Sequence, residues 1–274
     1  MRKPYQAVRR YPRNISGRDF VVGDLHGCFS QLGTALAALG YDGARDRLFS
    51  VGDLVNRGPE SDSVLDVVRR YRIKAIRGNH EDMILKWYYA YGSLEYLQHN
   101  GGDWFVKLVD SGGPGRAIAS FMRALPYAIE IETSYGLVGL LHADAPLDQW
   151  QELTSSLRRE SCDGLVRRKV LWQRSRWLAP GEDSSEELRA RFASFLTAAT
   201  TPVGSTPVAA AQSVKGITAV IVGHTPVLQP TVRGNVINID TGAVYGHSLT
   251  VLELDDVPAL VAEKVGRAMF KCAP

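Results

Sequence analysis

Cysteine is scarce in this chain: three among 274 residues, at Cys28, Cys162 and Cys272. They form no CxxC or other clustered pattern, so neither a disulfide framework nor a thiolate-built structural zinc site is indicated, and a reducing compartment is expected. No apolar run approaches the roughly 20 residues of a membrane span. The basic start MRKPYQAVRRYPRN lacks the apolar centre of a signal peptide, so the expectation is a cytoplasmic protein without a membrane partner. Charge of one sign is also in short supply. The formal net charge is +3, carried in part by Arg2, Lys3, Arg9, Arg10 and Arg13, so residues 1–17 read as a basic N-terminal arm, a solvated tail or edge, with no nucleic acid expected as partner. Several reactive motifs are missing too: no GxSxG elbow, no GxxxxGK[ST] loop, no HExxH helix and no GxGxxG after a strand. Covalent serine or cysteine catalysis therefore has no support.

What is present begins with core material. Apolar residues make up 45% of the chain, enough for it to fold without staples, and a single domain over residues 1–274 is expected. A short apolar run ending abruptly in ligand-type residues recurs six times. Phe20–Val22 runs into Gly23-Asp24-Leu25-His26-Gly27, Leu48–Val51 into Gly52-Asp53, and Ala75–Arg77 into Gly78-Asn79-His80-Glu81. Leu137–Leu141 stops at His142, Ala219–Val222 at Gly223-His224, and Val236–Ile239 at Asp240-Thr241-Gly242. Such runs read as buried strands. Phe29, Leu32, Leu36 and Leu39 share one helical face and Val64, Leu65, Val68 and Tyr71 another, so the first half alternates as βαβ units, an α/β class in which loops at strand C-termini build the site. From Glu81 to Leu125 the pattern is helical, broken at Asn100-Gly101-Gly102 and Ser111–Gly115, and its many aromatics read as core or wall. Residues 180–214 read as a helix opened by a Ser184/Glu187 capping box, followed by a flexible insertion.

Four of the six histidines, His26, His80, His142 and His224, fall at or just after strand ends. Carboxylates crowded beside them at one sheet edge repel unless a cation sits among them. Imidazole and oxygen donors without thiolate suit manganese, iron, zinc or cobalt. Two ions fit the donor count: Asp24 with His26 for one, Asn79, His142 and His224 for the other, and Asp53 as the bridge. Such a pair generates hydroxide near neutral pH and neutralises an attacked phosphate. Two divalent ions against two carboxylates and one hydroxide leave about one positive charge, before Arg57 adds bidentate donors for a phosphate. Residue types alone thus reach a bimetallic hydrolase of phosphate esters or anhydrides.

Taken in order, GDLHG, GDLVNRG, GNHE, the strand ending in His142, GHTP and DTG resemble the phosphoprotein phosphatase family of calcineurin-like metallophosphoesterases, over about Phe20 to Leu254. Asn100–Trp104, His142-Ala143-Asp144, Leu171–Arg174 and Asp240–Val244 resemble the bacteriophage-lambda-type branch and its bacterial relatives. The resemblance implies a calcineurin-like fold, a central β-sandwich flanked by helices. It implies Asp24, His26 and Asp53 on a first metal and Asp53, Asn79, His142 and His224 on a second, with manganese the usual ion and iron, zinc, cobalt or nickel as alternatives. Arg57 and Arg174, with Asn79, would clamp the phosphate, and His80 would be the general acid. A phosphoprotein or a small phosphorylated molecule is the implied substrate.

One departure stands out. Asn56 occupies a position where phosphatases of this family usually carry an aspartate paired with the motif histidine, here His80. An amide keeps the orienting hydrogen bond but drops the charge that favours imidazolium, which disfavours alkoxide leaving groups and tolerates phenolates or phosphoanhydrides. The symmetrical diadenosine tetraphosphatases, of the same superfamily, accept a non-acidic residue there and share the RGPxS continuation Arg57–Ser61. They form the alternative reading. A non-catalytic phosphate-binding module is the third, disfavoured because every proposed ligand is present.

Overall fold

The computed structural model describes residues 5–161, 163–178, 212–263 and 272–273. Two sheets face each other. The first five-stranded sheet is built on β2 (Asp19–Val22), β3 (Arg47–Ser50) and β4 (Lys74–Ala75), which run parallel through the crossovers α1 (Phe29–Ala38) and α2 (Val64–Tyr71). Its other edge is completed by the antiparallel β10 (Leu249–Glu253) and β11 (Cys272–Ala273). The second sheet has six strands in the order β1-β5-β6-β7-β9-β8: β1 (Val8–Tyr11), β5 (Ala128–Thr133), β6 (Gly136–Leu140), β7 (Ala219–Val222), β9 (Val236–Asn238) and β8 (Thr231–Arg233). Between them in sequence lie α3 (Asn79–Tyr88), α4 (Leu94–His99), α5 (Asp103–Asp110), α6 (Gly115–Ala124), α7 (Trp150–Arg159) and α8 (Leu165–Trp172), with α9 (Val257–Glu263) after β10.

Side-chain alternation along the strands sorts the core into layers. On β2, Phe20 and Val22 face α1 and its neighbours, whereas Val21 faces the other sheet. On β7, Val220 and Val222 pack towards α7 and α8, whereas Ala219 and Ile221 join Val21, Phe49, Ile129, Ile131, Val138 and Leu140 between the sheets. These inter-sheet residues are fully buried, each large aliphatic one contributing about 1.5–3 kcal/mol of transfer free energy. The result is an αββα sandwich. β6, β7 and β9 run parallel to one another, as do β2, β3 and β4. The five loops that carry the candidate ligands therefore all leave from strand C-termini, which is why residues up to 200 positions apart in sequence meet, as Asp24 and His224 do.

The sequence places β2, β3, β4, β6, β7 and β9 and the first two helices within one or two residues, and leaves β5, β8, β10 and β11 unread. It understates the N-terminus: within the segment expected as a basic arm over residues 1–17, Val8–Tyr11 pairs in parallel with β5, from Val8 opposite Ala128 to Tyr11 opposite Ile131. Arg9 and Arg10 sit side by side between Val8 and Tyr11, so the charges ride on an edge strand. The aromatics of the helical stretch divide. Phe105 is buried, and Trp87, Tyr88 and Trp104 pack on the core, but Tyr89, Tyr91 and Tyr96 are exposed. Of the helix and insertion expected over 180–214, only 212–214 fall among the described residues.

Candidate metal centre

Three loops from the β2-β3-β4 side deliver the first donors. After β2 the chain turns through His26 in a left-handed conformation (φ 44°), and after β3 through Asp53 (φ 48°), Asn56 (φ 74°) and Arg57 (φ 70°). His224, after β7, has φ 68°. These are five of the seven non-glycine residues with positive φ among the described residues, and such backbone costs about 1–3 kcal/mol per residue unless its surroundings impose it. Glu81 is one of those surroundings. Its buried carboxylate accepts from Gly78 N (2.7 Å), Asp53 N (3.0 Å) and Leu54 N (2.8 Å), tying the β3 loop to the start of α3. Close approach also needs glycine: a Cβ at Gly78 would overlap Asp53 Oδ1, and one at Gly223 would overlap Asp24 Oδ1.

Two groups of donor atoms result, His26–Asp53–His80 and Asp53–His142–His224, each with its ligand atoms within 4.8 Å of one another and every residue buried. Asp53 belongs to both, as expected of a bridge. Asn79 joins the second group, its Oδ1 lying 2.8 Å from His142 Nε2 and 3.0 Å from His224 Nδ1. Asp24 lies outside both triads: its carboxylate oxygens accept from His224 N at 3.2 and 3.0 Å. His80, expected as an acid and not as a ligand, lies inside the first, with Nε2 3.9 Å from Asp53 Oδ2.

The hydrogen bonds fix which nitrogens are available. His26 Nδ1 lies 3.0 Å from Val55 O and His142 Nδ1 2.7 Å from Val51 O, so in each ring Nδ1 carries the proton and Nε2 presents a lone pair inward. Among the described residues His142 Nε2 then faces only oxygen acceptors, Asn79 Oδ1 at 2.8 Å and Asp53 Oδ1 at 3.4 Å, and His224 Nε2 is buried with no hydrogen-bond partner. Lone pairs turned on one another require a cation, as a proton or as a metal. The carboxyl groups carry the same strain. Burial, then the Asp240 and Asp53 carboxylates, push Asp24 well above the ordinary carboxyl range; burial raises Asp240 to about 6 and, with Asp53 beside it, Glu81 to about 7. Burial opposes ionisation of Asp53 as well, but His142 and His80 hold its carboxyl well below the usual value. Against burial, Asp53 in turn raises His142 above the ordinary imidazole value, and imidazole nitrogens, an ionised shared carboxylate and an amide oxygen form a donor set that fits divalent ions.

The arginines stand beside this set. Arg57 NH1 is 3.1 Å from His26 Nε2, and its guanidinium lies 5.8 Å from the Tyr245 ring centroid. Arg174 NH1 donates to His224 O (2.7 Å) and Thr225 Oγ1 (3.2 Å), while its buried Nε has no hydrogen-bond partner among the described residues. Burial and the neighbouring Arg57 both lower Arg174, so the two guanidiniums repel each other, a repulsion an anion relieves.

Asn56 adopts an arrangement the sequence did not disclose. Trp104 Nε1 donates to Asn56 Oδ1 at 2.8 Å, and Asn56 Nδ2 lies 3.0 Å from His80 Nδ1. An indole N–H can only donate, so it claims the amide oxygen and turns the NH2 towards His80. The orienting bond survives, but with its direction reversed: His80 Nδ1 must accept, and its proton resides on Nε2. Burial first, then Arg57, hold His80 well below the ordinary imidazole value. Trp104, Glu81 and Asp240 are the residues that sequence reasoning left without a role. Trp104 sits in the Asn100–Trp104 stretch and the other two in GNHE and DTG, so the signal lay in the motifs themselves.

An αββα sandwich with a two-part oxygen and imidazole centre at the strand ends defines a metallophosphoesterase. The chain belongs to the calcineurin-like phosphoesterase family, whose family model matches residues 20–228. Serine/threonine-protein phosphatase 1 of Salmonella typhimurium is 30% identical over 257 residues, covering 93% of this chain and 100% of that protein. The symmetrical bis(5'-nucleosyl)-tetraphosphatase of Aromatoleum aromaticum is 27% identical over 261 residues, covering 86% of this chain and 93% of that one. A Saccharomyces cerevisiae protein serine/threonine phosphatase shares the fold with a TM-score of 0.54 at 15% identity, covering 98% of this chain and 84% of that one.

Proposed function

We propose that this metal-dependent phosphatase is a phosphoprotein phosphatase of the serine/threonine type that also accepts phosphotyrosine, working in the cytoplasm with two manganese ions. The observation that carries the reading is a shared Asp53 between two donor triads, walled by Arg57 and Arg174. Asp24, His26 and Asp53 would hold one ion, and Asp53, Asn79, His142 and His224 the other. When bound, the ions lower the pKa of water and screen the phosphate's charge. Arg57 and Arg174, with the Asn79 amide, would bind and orient the phosphoryl oxygens by charge-assisted hydrogen bonds. His80 would present Nε2–H to the leaving oxygen. Its Nδ1, occupied by the Asn56 NH2, has no carboxylate to stabilise an imidazolium.

That last point favours a second reading. A neutral Nε2–H donor gives little help to a serine alkoxide but suffices for a phenolate or a phosphate leaving group. A symmetrical dinucleoside tetraphosphatase, or another hydrolase of small phosphoanhydrides, fits the same amide, and the Aromatoleum relative of that name supports it. Side-by-side turnover of phosphoserine and phosphotyrosine peptides and of diadenosine tetraphosphate by the manganese-loaded protein decides between them. Higher kcat/KM on the peptides is expected; turnover confined to the dinucleotide overturns the first reading, and no manganese-dependent turnover of any of the three overturns both.

A further inference from the structure

A second cleft lies away from the metal centre, between β1, α3, α6 and α8, with a volume of about 1110 Å³ and no residue of the metal site in its lining. α3 separates the two. Asn79 and His80 in its first turn serve the centre, whereas Leu85, further along, and Tyr89, just past its end, line the cleft.

The lining holds five arginines, Arg9, Arg10, Arg77, Arg123 and Arg167, and no acidic residue. Counter-charge nearby is already committed. Arg10 pairs with Glu132 at 2.8 Å, and Asp82, 3.9 Å from Arg77, has Lys86 at 3.0 Å. Arg9 and Arg167 spend their hydrogen bonds on the carbonyls of Ala124 and Leu157, and Arg77 on Tyr127 Oη and Arg123 O. Arg77 and Arg167 stack on Tyr127, each guanidinium 4.8 Å from its ring centroid, and both are more than nine-tenths buried. Arg77 Nε has no hydrogen-bond partner among the described residues. Arg77 shares Asp82 with Lys86, and among the described residues no carboxylate pairs with Arg167; a guanidinium withdrawn from water without a full counter-charge is costly unless an anion supplies it.

The rim adds a second kind of surface. Tyr89 is 41% and Tyr91 59% exposed, and Arg123 lies 5.6 Å from the Tyr89 ring centroid. Exposed rings beside guanidiniums stack planar, electron-poor heterocycles. Phosphate recognition by the arginines and stacking by the tyrosines coincide in one ligand class. We propose that this cleft binds a nucleotide, its phosphates between Arg9 and Arg123 and its base against Tyr89 and Tyr91.

The test is calorimetric titration of the full, manganese-loaded protein with α,β-methylene-ADP, whose bridge resists hydrolysis. Arg9→Ala and Arg123→Ala should each weaken binding about tenfold, the worth of one charge-assisted hydrogen bond, and leave aryl phosphate turnover unchanged, which reports an intact fold. Tyr89→Leu should weaken the nucleotide but not methylenediphosphonate, which lacks a base. Arg57→Ala should leave the affinity untouched. The proposal is overturned by no binding, by binding that Arg57→Ala abolishes while the cleft variants do not, by methylenediphosphonate binding as tightly as the nucleotide, or by a phosphopeptide binding there in its place.

Discussion

A single hydrogen-bond direction decides what His80 can do. With the Trp104 indole holding Asn56 Oδ1 and the Asn56 NH2 facing His80 Nδ1, imidazolium would set two N–H groups against each other. Replacing Asn56 by Asp restores an acceptor that Trp104 and His80 can share. Turnover of a phosphoserine peptide relative to an aryl phosphate should then rise, and an unchanged ratio in steady-state assays would remove the leaving-group hypothesis. The sign of the pH effect follows. His80 lies well below the ordinary imidazole value through burial and Arg57, so in the wild type its doubly protonated form is absent near neutrality. A carboxylate at position 56 raises its pKa, so kcat for the phosphoserine peptide should acquire a limb that falls as pH increases through the new value. Trp104→Phe keeps the ring and removes the N–H. It frees the amide to turn, and should shift the same substrate ratio in the same direction as Asn56→Asp, by less.

At the scale of elements, the loop after β3 and the start of α3 act as one unit because Glu81 holds three of their amides. Glu81→Gln keeps the shape but turns an NH2 towards backbone donors and leaves at least one buried amide unmet, at about 1–3 kcal/mol. Thermal melts should show a lower Tm. Metal titrations should show weaker manganese binding as well, because Asp53, the residue both triads share, is positioned by this clamp. A melt that drops with unaltered metal affinity would restrict Glu81 to stability. The strands explain why these loops matter: β5 and β10, which run antiparallel to the ligand-bearing strands beside them, deliver none of the triad residues.

For the molecule as a whole, the centre is a fault line that metal closes. Buried acids pushed upwards at Asp24, Glu81 and Asp240 and a partnerless His224 Nε2 oppose folding in the metal-free chain. Chelation with EDTA should abolish turnover and lower Tm, and manganese at about a hundred times its dissociation constant should restore about 2.7 kcal/mol. Differential scanning calorimetry at fixed protein concentration measures it; equal melting temperatures with and without metal would contradict the centre. Much of this molecule was legible beforehand. Five of the six strand-end motifs carry Asp24, His26, Asp53, Asn79, His80, His142 and His224 at positions set by local rules, since β-branched runs ended by glycine leave few alternatives. The β1 edge strand was not legible, because Val8–Tyr11 carries two adjacent arginines in place of an apolar run and finds its partner 120 positions away. Nor was the polarity at Asn56, which depends on an indole 48 residues downstream. Residue types and their spacing thus determined the chemistry available to this chain, because strand ends and tight turns are short-range consequences of sequence. Which donor faces which acceptor, and the gathering of arginines into a cleft behind α3, were decided only by tertiary structure, since hydrogen-bond direction and charge surplus belong to neighbours in space.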